Sequence, residues 1–120
     1  MDIALWRIRI KAGKEALARE WLEFLKANQE EGNQTLKNEK EHLELYFTNV
    51  ENGAMYAYMC VVAEDLEYAA QVANSSGNPL DAEHMAYMTA CVDFEDCAQL
   101  APELALGDFS VFARENGGDA

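Results

Sequence analysis

Residues 42–63, HLELYFTNVENGAMYAYMCVVA, constrain the fold of this chain more than any other stretch. Asn52-Gly53 separates two strand-like runs, and both residues tolerate the positive φ that a tight type I′ hairpin turn demands. A two-residue loop sets Phe47 opposite Tyr58, Leu45 opposite Cys60 and Leu43 opposite Val62. From Ala54 to Ala63 every side chain is apolar or aromatic. A half-exposed antiparallel strand alternates apolar with polar residues, so this strand is expected to be covered on both pleat faces. The reading assigns Leu43, Leu45, Phe47, Tyr58, Cys60 and Val62 to a helix-covered face. It leaves Glu44, Tyr46, Thr48, Ala57, Met59 and Val61 on the opposite, open face.

The remaining elements follow from periodicity. In residues 3–10, IALWRIRI, alternation puts Ala4, Trp6, Ile8 and Ile10 on one face of a strand and Ile3, Leu5, Arg7 and Arg9 on the other. Ala12-Gly13 ends that strand and opens a helix whose apolar stripe is Leu17, Trp21, Phe24, Leu25 and Asn28. Glu15 and Arg19 stand four apart, the favourable order for a surface pair. Gly32-Asn33 predicts a kink or short break before Leu36 resumes the pattern. Residues 64–73 predict a short helix, and Asn74-Ser75-Ser76-Gly77 a loop. Asn78-Pro79 reads as an N-cap followed by proline in the first helical turn. Leu80, His84, Tyr87, Met88, Cys91 and Val92 then trace a stripe on a helix expected to end near Cys97. The last strand is expected within residues 104–114, LALGDFSVFAR, with a polar tail at 115–120.

The order β-α-β-β-α-β is that of a ferredoxin-like α+β domain over residues 1–114: a four-stranded antiparallel sheet with helices on one face. Its other face is open. Met59, Val61, Ala57 and Tyr46 on that open face argue for burial against a second copy, because isologous pairing is the commonest closed assembly. The partner implied is the chain itself, in a homodimer.

Charge narrows the partners. Lys and Arg number 9 against 22 Asp and Glu, a formal net charge of −13. Nucleic acid and anionic membrane surfaces are disfavoured, since binding to either rests on cationic contacts. No apolar run approaches the ~20 residues of a transmembrane helix, and the first residues lack signal-peptide character. A cytoplasmic location is expected. Cys60, Cys91 and Cys97 have neither metal-type spacing nor an even count, and read as packing residues.

Several segments resemble a small uncharacterised bacterial family: Leu5-Trp6-Arg7-Ile8-Arg9-Ile10-Lys11-Ala12-Gly13-Lys14, Glu31 through Thr35-Leu36 to Glu39, Asn52-Gly53-Ala54-Met55-Tyr56, and Asp81-Ala82-Glu83-His84. The resemblance covers most of residues 3–94. That family looks like part of the dimeric α+β-barrel group, which also contains monooxygenase-like, stress-responsive and haem-degrading members. The resemblance implies a homodimer of ferredoxin-like protomers and no particular reaction.

His84 is the sharpest chemical candidate. It sits on an apolar helical stripe three residues after Asp81, which could cap or orient it. A half-buried imidazole near tyrosines can act as a general acid or base near neutral pH; the plainer reading is a core histidine. Tyr58 is the expected catalytic companion, and Trp6 and Tyr56 would line a cleft with the pair. Arg7, Glu44 and Tyr46 form a second constellation on the expected open face, either a ligand-binding polar patch or an ion pair setting dimer register. His42 with Glu39 or Glu44 makes a weak metal set, and neither a metal nor a cofactor is expected. No P-loop or G-x-S-x-G elbow is present in the sequence. The sequence therefore points to a small-molecule cleft in an α+β-barrel dimer. Its alternatives are a cofactor-independent oxygenase or isomerase, and an interaction module with an acidic surface.

Overall fold

A computed structural model describes residues 1–112 of the chain. Its order is β1 (Asp2–Ile10), α1 (Glu15–Ala27), α2 (Gln29–Asn38), β2 (Glu41–Glu51), β3 (Ala54–Ala63), α3 (Leu66–Asn74), α4 (Pro79–Cys91) and β4 (Val92–Leu100). The strands form one antiparallel sheet in the order β2-β3-β1-β4. The expected ferredoxin-like arrangement is therefore present. The domain's expected limit at 114 and the tail at 115–120 lie outside the described residues.

The hairpin forms as its turn residues dictate. Asn52 and Gly53 both have positive φ, 53° and 78°, and Glu51 pairs with Ala54. The register sets Phe47 against Tyr58, Leu45 against Cys60 and Leu43 against Val62. The faces, however, are the reverse of the expectation. Helix α1 packs Trp21 against Ile8, Ile10, Met55 and Ala57, so the even positions of β1 and odd positions of β3 are helix-covered. Tyr46 follows them inward, with its ring 6.0 Å from that of Trp21. On the open side Leu45 and Phe47 are 42% and 55% exposed. The reason is that β3 is apolar on both faces and gives no contrast, while β2 points Glu41, Glu44 and Tyr46 toward the helices.

Three boundaries also differ. The helical break falls at Asn28, which leaves helical geometry (φ −117°, ψ 31°), and not at Gly32, which lies within α2. Asn28 holds the corner by donating from Nδ2 to the Phe24 carbonyl at 2.9 Å. Helix α4 ends at Cys91 instead of near Cys97, because Val92 is already extended (φ −93°, ψ 133°). Lys11 N–H donates to the Cys91 carbonyl at 2.8 Å, which ties this junction to the end of β1. The last strand is consequently Val92–Leu100, and residues 101–112 contain no strand. Asp93, Glu95 and Asp96 mask β4 in the sequence, yet charge is how an edge strand avoids further pairing. The Glu15–Arg19 pair is replaced by other partners: Glu15 accepts from Gly13 N–H and Arg19 donates to Thr48.

The cap expected for α4 forms, and α3 has one of its own that the sequence reading does not include. Asn78 Oδ1 accepts from Leu80 N–H at 2.8 Å, with Pro79 in the first turn. Asp65 caps α3 by accepting from the N–H groups of Glu67 and Tyr68. These caps set where α3 and α4 begin, and therefore where Leu66 and His84 meet the sheet.

Candidate functional site

Between the helices and the covered face of the sheet lies a cavity of about 740 Å³. Trp6, Met59 and Val61 from the sheet and Trp21 and Leu25 from α1 give it an apolar, aromatic wall. One region is different: Glu39, Glu41, Glu44, Tyr46 and His84 also line it. Concave, largely apolar space with a few convergent polar groups is the usual form of a small-molecule site.

The acidic group owes its geometry to an irregularity in β2. One residue, His42, separates Glu41 from Leu43, yet their partners on β3, Ala63 and Val62, are adjacent. This bulge places Glu41 and Glu44 on the same, inward face. Glu39, just past the end of α2, joins them while only 6% exposed. One carboxylate oxygen from each of Glu39, Glu41 and Glu44 lies within 4.8 Å of the others. Oε1 of Glu41 is buried without a hydrogen-bond partner among the described residues. Burial pushes the Glu41 carboxyl up to about 11, with further rises from Glu44 and Glu39. Glu39 is also raised, chiefly by burial. A cluster of this kind holds a proton at neutral pH; its hard oxygens are also the donor type that Mg²⁺ or Ca²⁺ takes. Tyr46 completes it by donating its hydroxyl to Glu44 Oε1 at 2.8 Å. Burial foremost, then the nearby carboxyls, holds the Tyr46 phenol well above its ordinary range.

His84 enters from α4. Trp21 Nε1 donates to His84 Nδ1 at 3.0 Å, and the two rings lie 5.8 Å apart. Asp81, expected as the partner of His84, instead accepts from Ser76 Oγ at 2.6 Å. Burial lowers the His84 pKa, against smaller opposing pulls from Glu44 and Asp81. The imidazole is thus kept neutral. The tryptophan partner was not legible in sequence, although Trp21 and His84 each sit on the apolar stripe of their own helix.

The residues expected to act together are divided by the sheet. Trp6, Glu44, Tyr46 and His84 line the cavity. Arg7, Tyr56 and Tyr58 do not, because their strand parity directs them to the open face. The pairing of Tyr58 with His84 is therefore corrected, as is that of Arg7 with Glu44 and Tyr46. Arg7 makes its own cluster: Nη2 donates to Glu51 Oε1 at 2.7 Å, Nε to the Tyr58 hydroxyl at 3.4 Å, and the guanidinium lies 3.8 Å from the Tyr56 ring centroid. The Tyr58 hydroxyl also donates to Glu51. These bonds, Tyr58 first and Arg7 second, lower the Glu51 pKa. His42, weighed as a metal ligand, stacks on Phe112 at 5.2 Å and is outside the carboxylate group. The cysteines are unbridged, and burial raises the Cys91 thiol, which opposes nucleophilic chemistry there.

Fold and cavity together define a ferredoxin-like α+β protein with a cavity between its helices and its sheet. The chain belongs to a family of unknown function, DUF6176, whose model matches residues 1–108. Among solved structures it is similar to an uncharacterised NIPSNAP domain protein from Burkholderia xenovorans. The likeness has 21% identity and a TM-score of 0.53, and covers 90% of this chain and all of that one. At that identity the likeness concerns fold. No curated protein matches the sequence.

Proposed function

We propose that this chain is a small-molecule-binding protein of the dimeric α+β-barrel type, with its ligand held between the helices and the sheet. The observation that carries the reading is the inverted polarity of β2. Glu41, Glu44 and Tyr46 face the cavity, while Leu43, Leu45 and Phe47 face outward. Burying carboxyls costs free energy that an apolar core would avoid, so their place beside an aromatic-walled cavity supports a binding role. The outward apolar row supports the second half of the proposal. Leu45, Phe47 and Leu100, at 42%, 55% and 48% exposure, form an apolar face suited to a second copy of this chain.

Native mass spectrometry of freshly purified full-length chain at low micromolar concentration tests both halves. A dimer carrying a reproducible extra mass is the expected result, with the mass identifying the bound compound. A bare dimer that gains no adduct from a library of uncharged aromatic compounds contradicts the cavity reading. A monomer throughout contradicts the barrel.

A further inference from the structure

Resting on the reading of the cavity as a small-molecule site, the geometry points to the kind of molecule it takes: an uncharged compound whose carbonyl oxygen accepts a hydrogen bond from the Nε2–H of His84, with Trp21 as the positioning residue that keeps the proton on that nitrogen.

A tryptophan Nε1 can only donate, and Trp21 is fully buried, with no exposed surface, so its N–H is fixed in direction. It points at His84 Nδ1 from 3.0 Å. That nitrogen must therefore present its lone pair, and the single proton of a neutral imidazole resides on Nε2. An imidazolium would set two N–H groups against each other. The charged and titratable groups facing His84 do not reverse this. Glu44 and Asp81 pull toward protonation but are hydrogen-bonded to Tyr46 and Ser76, and burial opposes them. His84 is consequently a donor at Nε2 and not a general base.

Among the described residues no protein group accepts from Nε2, and the atom is not sealed in, because the only fully buried side-chain polar atom lacking a partner is Glu41 Oε1. His84 lines the cavity, so its free donor serves whatever occupies that space. A carboxylate or phosphate would satisfy a donor equally well in isolation. Here Glu39, Glu41 and Glu44 line the same cavity, and even with a proton held on Glu41 the negative charge left in the cluster repels an anion. A ketone or amide carbonyl on an apolar body meets both conditions, since Trp6, Trp21 and Met59 supply the apolar wall.

The test is nitrogen NMR on the full-length chain labelled with ¹⁵N-histidine, the two histidines being distinguished with a His42→Gln variant. The wild-type spectrum should show the neutral Nε2–H tautomer of His84 between pH 6 and pH 8. Trp21→Phe, which keeps the aromatic bulk and removes the donor, should shift His84 toward a mixture of tautomers. Acetophenone should then move the Nε2 resonance, ethylbenzene should bind without moving it, and benzoate should not bind. A protonated or Nδ1–H imidazole in the wild type overturns the proposal with no variant needed. Equal effects of acetophenone and ethylbenzene on Nε2 overturn it too. If the tautomer is as expected but none of the three compounds perturbs Trp6 or Trp21, the small-molecule reading itself fails and the assigned ligand with it.

Discussion

Glu41 and Glu44 face the same cavity although strict strand alternation would put them on opposite faces of β2. The bulge between Glu41 and Leu43 turns Glu41 inward, where it meets Glu44 and Glu39. The local defect thus concentrates carboxyls at one part of an otherwise apolar space.

Glu41 should make stability fall as pH rises. Its carboxyl is pushed from 4.5 up to about 11 in the fold. Between those values the unfolded chain releases a proton that the native chain keeps. The associated stability is complete below about pH 4.5 and is lost progressively toward the native value. Glu41→Gln, an uncharged replacement of nearly the same shape, should gain at least ~1 kcal/mol at pH 7 and little at pH 4. Urea denaturation of both chains across that range checks it. A difference independent of pH contradicts the assignment.

Gly32 offers a second, purely conformational test. It lies inside α2, and a Cβ added there meets nothing within 4 Å. Gly32→Ala should therefore stabilise the chain by about 0.5–1 kcal/mol, through helix propensity and a less disordered unfolded state. Thermal melts should show a rise of a few degrees. A loss would mean that residue 32 needs freedom that this α2 does not display.

The outward row of β2 bears on assembly. Phe47 is 55% exposed and Leu45 42%. Phe47→Arg should leave the circular dichroism of the protomer unchanged while converting a dimer to a monomer by light scattering. A wild-type monomer, or a variant that stays dimeric, contradicts burial of this row against a second copy.

Much of the fold was legible because local chemistry and tertiary structure agree. Asn52-Gly53 dictated both the hairpin and its register, and Asn78-Pro79 dictated the start of α4. The errors occur where they disagree. The apolar β3 does not tell its two faces apart, so pattern alone puts the outward Leu45 and Phe47 on the helix-covered face. Acidic residues hid β4, which directly follows α4 without a loop. Gly32 looked like a breaker, but the corner is made by Asn28 through its own side-chain bond to Phe24. At the site, Trp6 and His84 were recognisable from their stripes and share the cavity. Glu41 was not, because a bulge leaves no signature in a period-two pattern. Glu44 and Tyr46 stand out in the sequence, but alternation alone puts them on the wrong face, and Arg7, Tyr56 and Tyr58 belong to the open side. The Trp21–His84 bond joins residues 63 positions apart, which no local pattern reports.

The central question for this protein is whether the space under the sheet takes a small molecule. The chain's two tryptophans, Trp6 and Trp21, both line it, so intrinsic fluorescence reads that space directly. Titration with acetophenone, excited at the red edge of the tryptophan band, should give a saturable change in emission. Ala73→Phe, which adds bulk at another lining position, should weaken or abolish it. A linear, unsaturable response of equal slope in both chains would contradict the central claim.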